Sequence, residues 1–197
     1  MSNSFAEQKI KDAARKVFQA KGYDAARTRD IAEEAGVNLA LINYYYRSKE
    51  SLFEEIMDDS ILSFRNAIIG ITNDSNTSVR EKIETLTNNY FSIFMQEPDL
   101  PIFIFLETQK NPDFILQKLN PSNIIKNSFF DKQLKDLGKT SQDVDQIFIN
   151  LMSLIVFPFI GNVIIKNVCK VDYDGYVALL NHRKKEIPNW IYAMFNL

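Results

Sequence analysis

The sequence predicts an all-α protein in which a small amino-terminal domain of three short helices precedes a larger helical domain. Three observations carry that prediction. Apolar residues recur at helical spacing along most of the 197 residues, with no strand-like alternation. Glycine and proline number only 6 each, too few for a turn-dense β fold. Two glycines, Gly22 and Gly36, punctuate the first fifty residues as helix ends should be punctuated.

Ile10, Ala13, Ala14, Val17 and Phe18 follow the i, i+3, i+4, i+7, i+8 pattern of an amphipathic helix, and Gly22 is suited to cap it. Thr28 has the chemistry of an N-cap for a second helix, whose short apolar face is Ile31, Ala32 and Ala35. Gly36 ends that helix, and a third runs from about Leu39 to Tyr45. Ser48 and Ser51 open a longer helix with apolar positions Leu52, Phe53, Ile56, Met57, Ile61 and Phe64. Its acidic run Glu54, Glu55, Asp58 and Asp59 is expected to face solvent.

The polar cluster from Asn73 to Ser78 reads as a turn. Further helices are expected at about 79–96, 101–110, 113–119, 124–137, 141–168 and 173–195, separated by Pro98, Pro101, Pro112, Pro121, Gly138 and Asp172. Pro158 should kink the helix expected over 141–168. The domain boundary is expected after residue 50, giving domains 1–50 and 51–197.

Composition narrows the chemistry. The chain is 46% hydrophobic and 24% charged, which suits a globular protein with a substantial core. Its one cysteine, Cys169, cannot form an internal disulfide, and a cytoplasmic location is expected. With one histidine, His182, no Ser-His-Asp set can be assembled, and no phosphate-binding glycine loop or metal-ligand spacing occurs. An enzyme is therefore not expected, nor is a cofactor or metal. The apolar stretch 147–165 is interrupted by Asn150, Ser153, Pro158, Gly161 and Asn162, so a buried or subunit-facing helix is expected there and no membrane span.

The net charge of −2 is unevenly spread: nine bases against seven acids leave residues 1–50 at about +2. That asymmetry permits nucleic-acid binding. A helix-turn-helix needs a small residue where its helices cross, a turn residue that accepts positive φ, and an apolar anchor on the second helix. Ala32, Gly36 and Ile42 meet those needs. Three successive tyrosines, Tyr44 to Tyr46, cannot all be buried on one helix, because neighbouring side chains point about 100° apart.

Residues 28–52 read TRDIAEEAGVNLALINYYYRSKESL. With Ala14-Arg15-x-x-Phe18 and Lys21-Gly22-Tyr23 before them, they resemble the tetracycline-repressor (TetR) family of bacterial transcription regulators, over about residues 8–55. The resemblance implies a double-stranded DNA operator as partner. It implies that Thr28 and Arg29 contact phosphate or a base edge, and that Asn38, Leu39, Ala40 and Asn43 face the major groove. Tyr44 and Tyr45 would touch phosphate or a thymine methyl, Lys49 would neutralise a phosphate, and Tyr46 would point inward where the family usually has Phe. The family often has Tyr at the position of Asn43, and Asn can pair bidentately with adenine, so specificity is expected to differ.

The resemblance further implies a homodimer through the last two helices and a small hydrophobic effector that releases a repressor from a palindromic operator. Candidate effector contacts are Phe91, Phe94, Met95, Phe103, Phe105, Phe129, Phe148, Met152 and Phe159. Asn88, Glu107 and Gln109 are better read as solvated. The other reading is a helical ligand-binding or interaction module that does not bind DNA.

Overall fold

The computed structural model describes the backbone of residues 2–120 and 122–197, and the side chains of all of these except residues 2–4, 60, 63, 64, 122 and 123. The side chain of Phe64, expected on the apolar face of the fourth helix, and Pro121, an expected break, lie outside what is described. Every regular element among the described residues is helical.

The first helix, α1 (Ser2–Ala25), buries the predicted stripe Ile10, Ala13, Ala14, Val17 and Phe18. Its winding breaks at Gly22, where φ is 74°. Helix α2 (Thr28–Ala35) packs against it and buries Ile31, Ala32 and Ala35. The expected N-cap at Thr28 is corrected by one residue. Asp30 accepts the Arg27 backbone N–H at 3.0 Å, and the helical bonds start at the Arg27 carbonyl, so Arg27 caps and Thr28 is the first helical residue.

Gly36 stops α2 with φ 60° and ψ 39°. The Gly36 N–H bonds to the Glu33 carbonyl and the Val37 N–H to the Ala32 carbonyl, satisfying orphan acceptors at the helix end. Asn38 then caps α3 (Leu39–Tyr45), its side chain accepting the Leu41 N–H at 2.8 Å.

Ser48 caps α4 (Lys49–Asn73) by accepting the Ser51 N–H, so Ser48 starts the helix without the acidic partner of a full capping box. The boundary expected after residue 50 falls at the second residue of α4, which continues unbroken. The chain forms two compact units, residues 1–64 with 103–119, and residues 65–102 with 120–197.

In the first unit Phe53 of α4 meets Phe18 and Phe103 edge to face, with ring centroids 5.1 and 6.1 Å away. The acidic run on α4 does not simply face solvent. Lys11 holds Glu55 at 2.5 Å and Asp59 at 3.1 Å, and Lys118 holds Asp58; Glu54 and Asp59 are exposed as expected, whereas Glu55 and Asp58 are half-buried. Burial opposes the charge on Lys11, but the two carboxylates outweigh it and raise its pKa. Helix α6 (Leu100–Lys110), from residue 103 onward, and α7 (Pro112–Leu119) supply the rest of this unit. Glu107, expected to be solvated, is buried; Lys110 one turn later gives it a countercharge at 3.4 Å.

The second unit is built around α5 (Val79–Gln96), α10 (Ser141–Ile160) and α12 (Tyr173–Phe195), which pack on one another. Ser78 and Glu81 form a reciprocal capping box at the start of α5. Beside the turn before α5, the buried Lys82 ammonium donates to the carbonyls of Asp74 and Thr77, each at 2.6 Å.

The helix expected over 124–137 is two pieces, α8 (Ser122–Ile125) and α9 (Phe129–Asp136). Asn127 takes φ 68° and Ser128 caps the second piece, which forces the break. The helix expected over 141–168 likewise divides, into α10 and α11 (Asn162–Cys169), at Gly161. α10 is long and apolar enough to cross a membrane by length and composition. Its buried positions Val144, Ile147, Leu151, Ile155 and Phe159 nonetheless serve a core shared with α5 and α12.

Candidate nucleic-acid interface

The three helices α1, α2 and α3 present α3 on an anchored base. Ile42 is fully buried and Tyr46, which follows α3, is 3% exposed. Those two positions fix the rotation of α3, so Ala40, Asn43 and Tyr44, at i, i+3 and i+4, share the outward face. Tyr44 is 71% exposed, Tyr45 is half-buried, and their rings meet edge to face at 5.2 Å. The tyrosine run thus divides as its helical spacing requires.

Asn38 is exposed, but its side-chain oxygen is engaged by the Leu41 N–H, leaving the amide NH2 for any external acceptor. Leu39 is half-buried and Ala40 exposed. Thr28 is half-buried at the first position of α2, where helix N–H groups favour anions. Arg29 beside it is exposed, with no carboxylate in ion-pair range among the described residues.

Lys49 differs in kind from the other expected contacts. Its ammonium donates to the Tyr23 carbonyl at 2.8 Å and the Ala26 carbonyl at 3.1 Å, and lies 4.2 Å from the Tyr23 ring centre. Two of its three N–H groups therefore tie the start of α4 to the α1–α2 turn, and one remains.

Charge pairing selects which bases stay available. Lys16 pairs with Glu34, Lys21 with Asp30, and Lys11 with α4. The Lys21 ammonium and the Arg27 N–H hold the Asp30 carboxyl below its ordinary pKa. Arg27 and Arg47 are exposed without a carboxylate partner among the described residues, at the edges of α2 and α3. Both are further candidates for phosphate contact. Sequence reading counted them only in the charge total, although their position beside two short helices was a usable signal.

The expected effector contacts fall in both units. Phe103 is buried and Phe105 exposed in the first. In the second, Phe91, Phe94 and Phe159 form an edge-to-face cluster, with both Phe91 and Phe94 against Phe159. Phe129, Phe148 and Met152 are half-buried. Phe94, Met95 and Phe159 line one pocket of about 120 Å³, together with Pro98, Lys166 and Tyr176. The other six do not line it.

A glycine-turned pair of short helices, the second anchored from within and polar outside, defines a helix-turn-helix DNA-binding domain. Residues 10–56 match the model of the bacterial regulatory proteins of the tetR family. The match is confined to these residues and marks the amino-terminal helices as a tetR-type DNA-binding domain.

The chain is 22% identical over 196 residues to a probable HTH-type transcriptional regulator, YttP, of Bacillus subtilis strain 168, covering 96% of this chain and 93% of that one. It is 30% identical over 115 residues to the fatty acid metabolism regulator protein of the same organism, covering 56% of this chain and 57% of the relative. Among solved structures, the transcriptional regulator FadR from Bacillus subtilis in complex with stearoyl-CoA superposes with a TM-score of 0.65 at 22% identity, over 92% of this chain and 97% of that one. The fatty acid degradation regulator FadR from Bacillus halodurans gives 0.62 at 24% identity, over 93% and 94%. These two share the fold.

Proposed function

We propose that the protein is a cytoplasmic homodimeric repressor that leaves a palindromic operator when a small hydrophobic effector binds its second unit. The observation that carries the DNA reading is the outward face of α3, where Ala40, Asn43 and Tyr44 stand clear while Ile42 and Tyr46 are buried. Ala40 suits a thymine methyl and Asn43 suits adenine N6 and N7. Leu39, Asn38 and Tyr45 flank that readout. Thr28, Arg29, Arg27 and Arg47 contact phosphates, with Lys49 adding its one free N–H.

A dimer follows from readout of two half-sites one helical turn apart. Exposed apolar residues on α10, α11 and α12 support it: Phe157, Val163, Ile164, Val168 and Met194. The pocket holding Phe94, Met95 and Phe159 supports an apolar effector, and Lys166 at its lining suits an acidic head group. The likeness to a FadR structure holding stearoyl-CoA points the same way, toward an acyl chain. Release is a population shift, with coupling of about 1–3 kcal/mol between effector and DNA.

The test is fluorescence anisotropy on a duplex selected from a random pool, at several salt concentrations. Affinity should fall steeply with salt, and Asn43→Ala should lose about 1–3 kcal/mol of discrimination between sequences. Salt-independent binding, or no enriched duplex, would leave the module without DNA binding.

A further inference from the structure

The first unit holds a second pocket, of about 280 Å³, between the end of α1, the start of α4 and the α6–α7 junction. Tyr23, Phe53 and Phe114 give it three aromatic walls, and Glu50 and Glu54 give it two carboxylates from successive turns of α4. Residues four apart on a helix lie on one side of it.

These carboxylates are distinguished by what they lack. Glu55, Asp58 and Asp59 on the same helix are neutralised by Lys11 and Lys118. Neither Glu50 nor Glu54 has a cation in ion-pair range among the described residues. The nearby ammonium groups are engaged elsewhere: Lys49 on the Tyr23 and Ala26 carbonyls, and Lys110 on Asp24 and Glu107. Two of the walls already receive the protein's own cations, Lys49 at 4.2 Å from the Tyr23 ring centre and Lys118 at 4.7 Å from that of Phe114. Burial and then Glu50, Asp24, Glu54 and Glu107 raise the Tyr23 phenol above its ordinary pKa, so the ring sits in a negative field.

Aromatic faces and unpaired carboxylates around one concavity, with Asn111 at its edge, select a cation that is weakly hydrated. A divalent metal needs several oxygens converging within about 2.6 Å, which rings do not provide. We propose that this pocket binds a small organic cation, a quaternary or protonated amine with an apolar body. The site is distinct from the effector pocket, which lies in residues 65–102 and 120–197.

Calorimetric titration of the full chain with choline, and with its uncharged carbon analogue 3,3-dimethyl-1-butanol, tests this without any DNA. Choline should bind saturably, and the analogue at least about tenfold more weakly, the order expected from cation–π and ionic contacts together. The double variant Glu50→Gln with Glu54→Gln, checked for unchanged helicity, should lose about as much. A remote pair of equal charge, Asp136→Asn with Asp174→Asn, should bind choline as the parent does. The proposal is overturned if choline does not bind, if the analogue binds as well, or if the two double variants behave alike.

Discussion

Tyr46 shows what a single residue reveals of this domain. It is buried at the end of α3, and among the described residues its hydroxyl has no hydrogen-bond partner. Burial raises its pKa, which is the electrostatic face of the same isolation. An unsatisfied buried hydroxyl costs about 1–3 kcal/mol. Tyr46→Phe should therefore leave stability unchanged or raise it by up to about 1 kcal/mol in urea unfolding; a loss of that size would mean the hydroxyl is bonded in solution. Lys49 has the opposite character. Lys49→Ala should destabilise the chain by about 1–3 kcal/mol, because two backbone carbonyls lose a charged donor. If its remaining N–H also reaches a phosphate, the salt slope of DNA binding drops by about 1; an unchanged slope confines Lys49 to the clamp.

Asp30 supplies a pH dependence. Its folded pKa lies below its ordinary value, so its contribution is complete above the unfolded pKa and lost as pH falls through the folded one. The unfolding midpoint should fall below about pH 4, and Asp30→Asn should flatten that fall.

The division of the tyrosines was legible because helical geometry alone decides it. The roles of Lys49 and Asp30 were less so. Lys49 meets a carbonyl 26 residues away, and Lys11 reaches an aspartate 48 residues away, separations that local patterning does not register.

At the scale of elements, the break between α10 and α11 shows how a proline is accommodated. Pro158 has no N–H, so the Leu154 carbonyl loses its helical donor. Arg183 of α12 supplies one, its Nε donating to that carbonyl at 3.0 Å. Three residues on, Gly161 ends the helix, and the Tyr176 hydroxyl donates to the Pro158 carbonyl at 2.9 Å. The sequence pointed to the proline, whereas the interruption falls at the glycine, because side chains from α12 repair the loss at Leu154. Arg183→Met should cost about 1 kcal/mol in the parent by leaving a partly buried carbonyl without its donor. In a Pro158→Ala background the cost should shrink, since alanine restores the backbone donor. A double-mutant cycle with no coupling would refute this account. The same limit explains the expected helix over 124–137: its apolar spacing ran through Asn127, but that residue takes a left-handed backbone and Ser128 restarts the helix.

For the whole molecule, the proposed operator readout needs two copies acting at once. Each copy offers one outward α3 face, and operators for this motif are read as paired half-sites. Val163 and Ile164 are exposed on α11, at 65% and 63%. Replacing both with Asp should turn the proposed dimer into monomers in sedimentation and abolish high-affinity binding while leaving α1 to α3 folded. A variant that stays dimeric would move the subunit contact elsewhere. The overall fold and the DNA-binding helices were readable because local periodicity and glycine placement dictate them. The proposed effector pocket was not, since core aromatics and pocket aromatics share the same spacing and only packing separates Phe94 and Phe159 from Phe148.

The most direct measurement is selection of duplexes from a random pool by the parent and by Asn43→Ala in parallel. The parent should enrich an inverted repeat with half-sites about ten base pairs apart, and Asn43→Ala should relax one symmetric pair of positions within it. An enriched sequence without repeat symmetry, or one that the variant selects unchanged, would contradict readout by the outward face of α3.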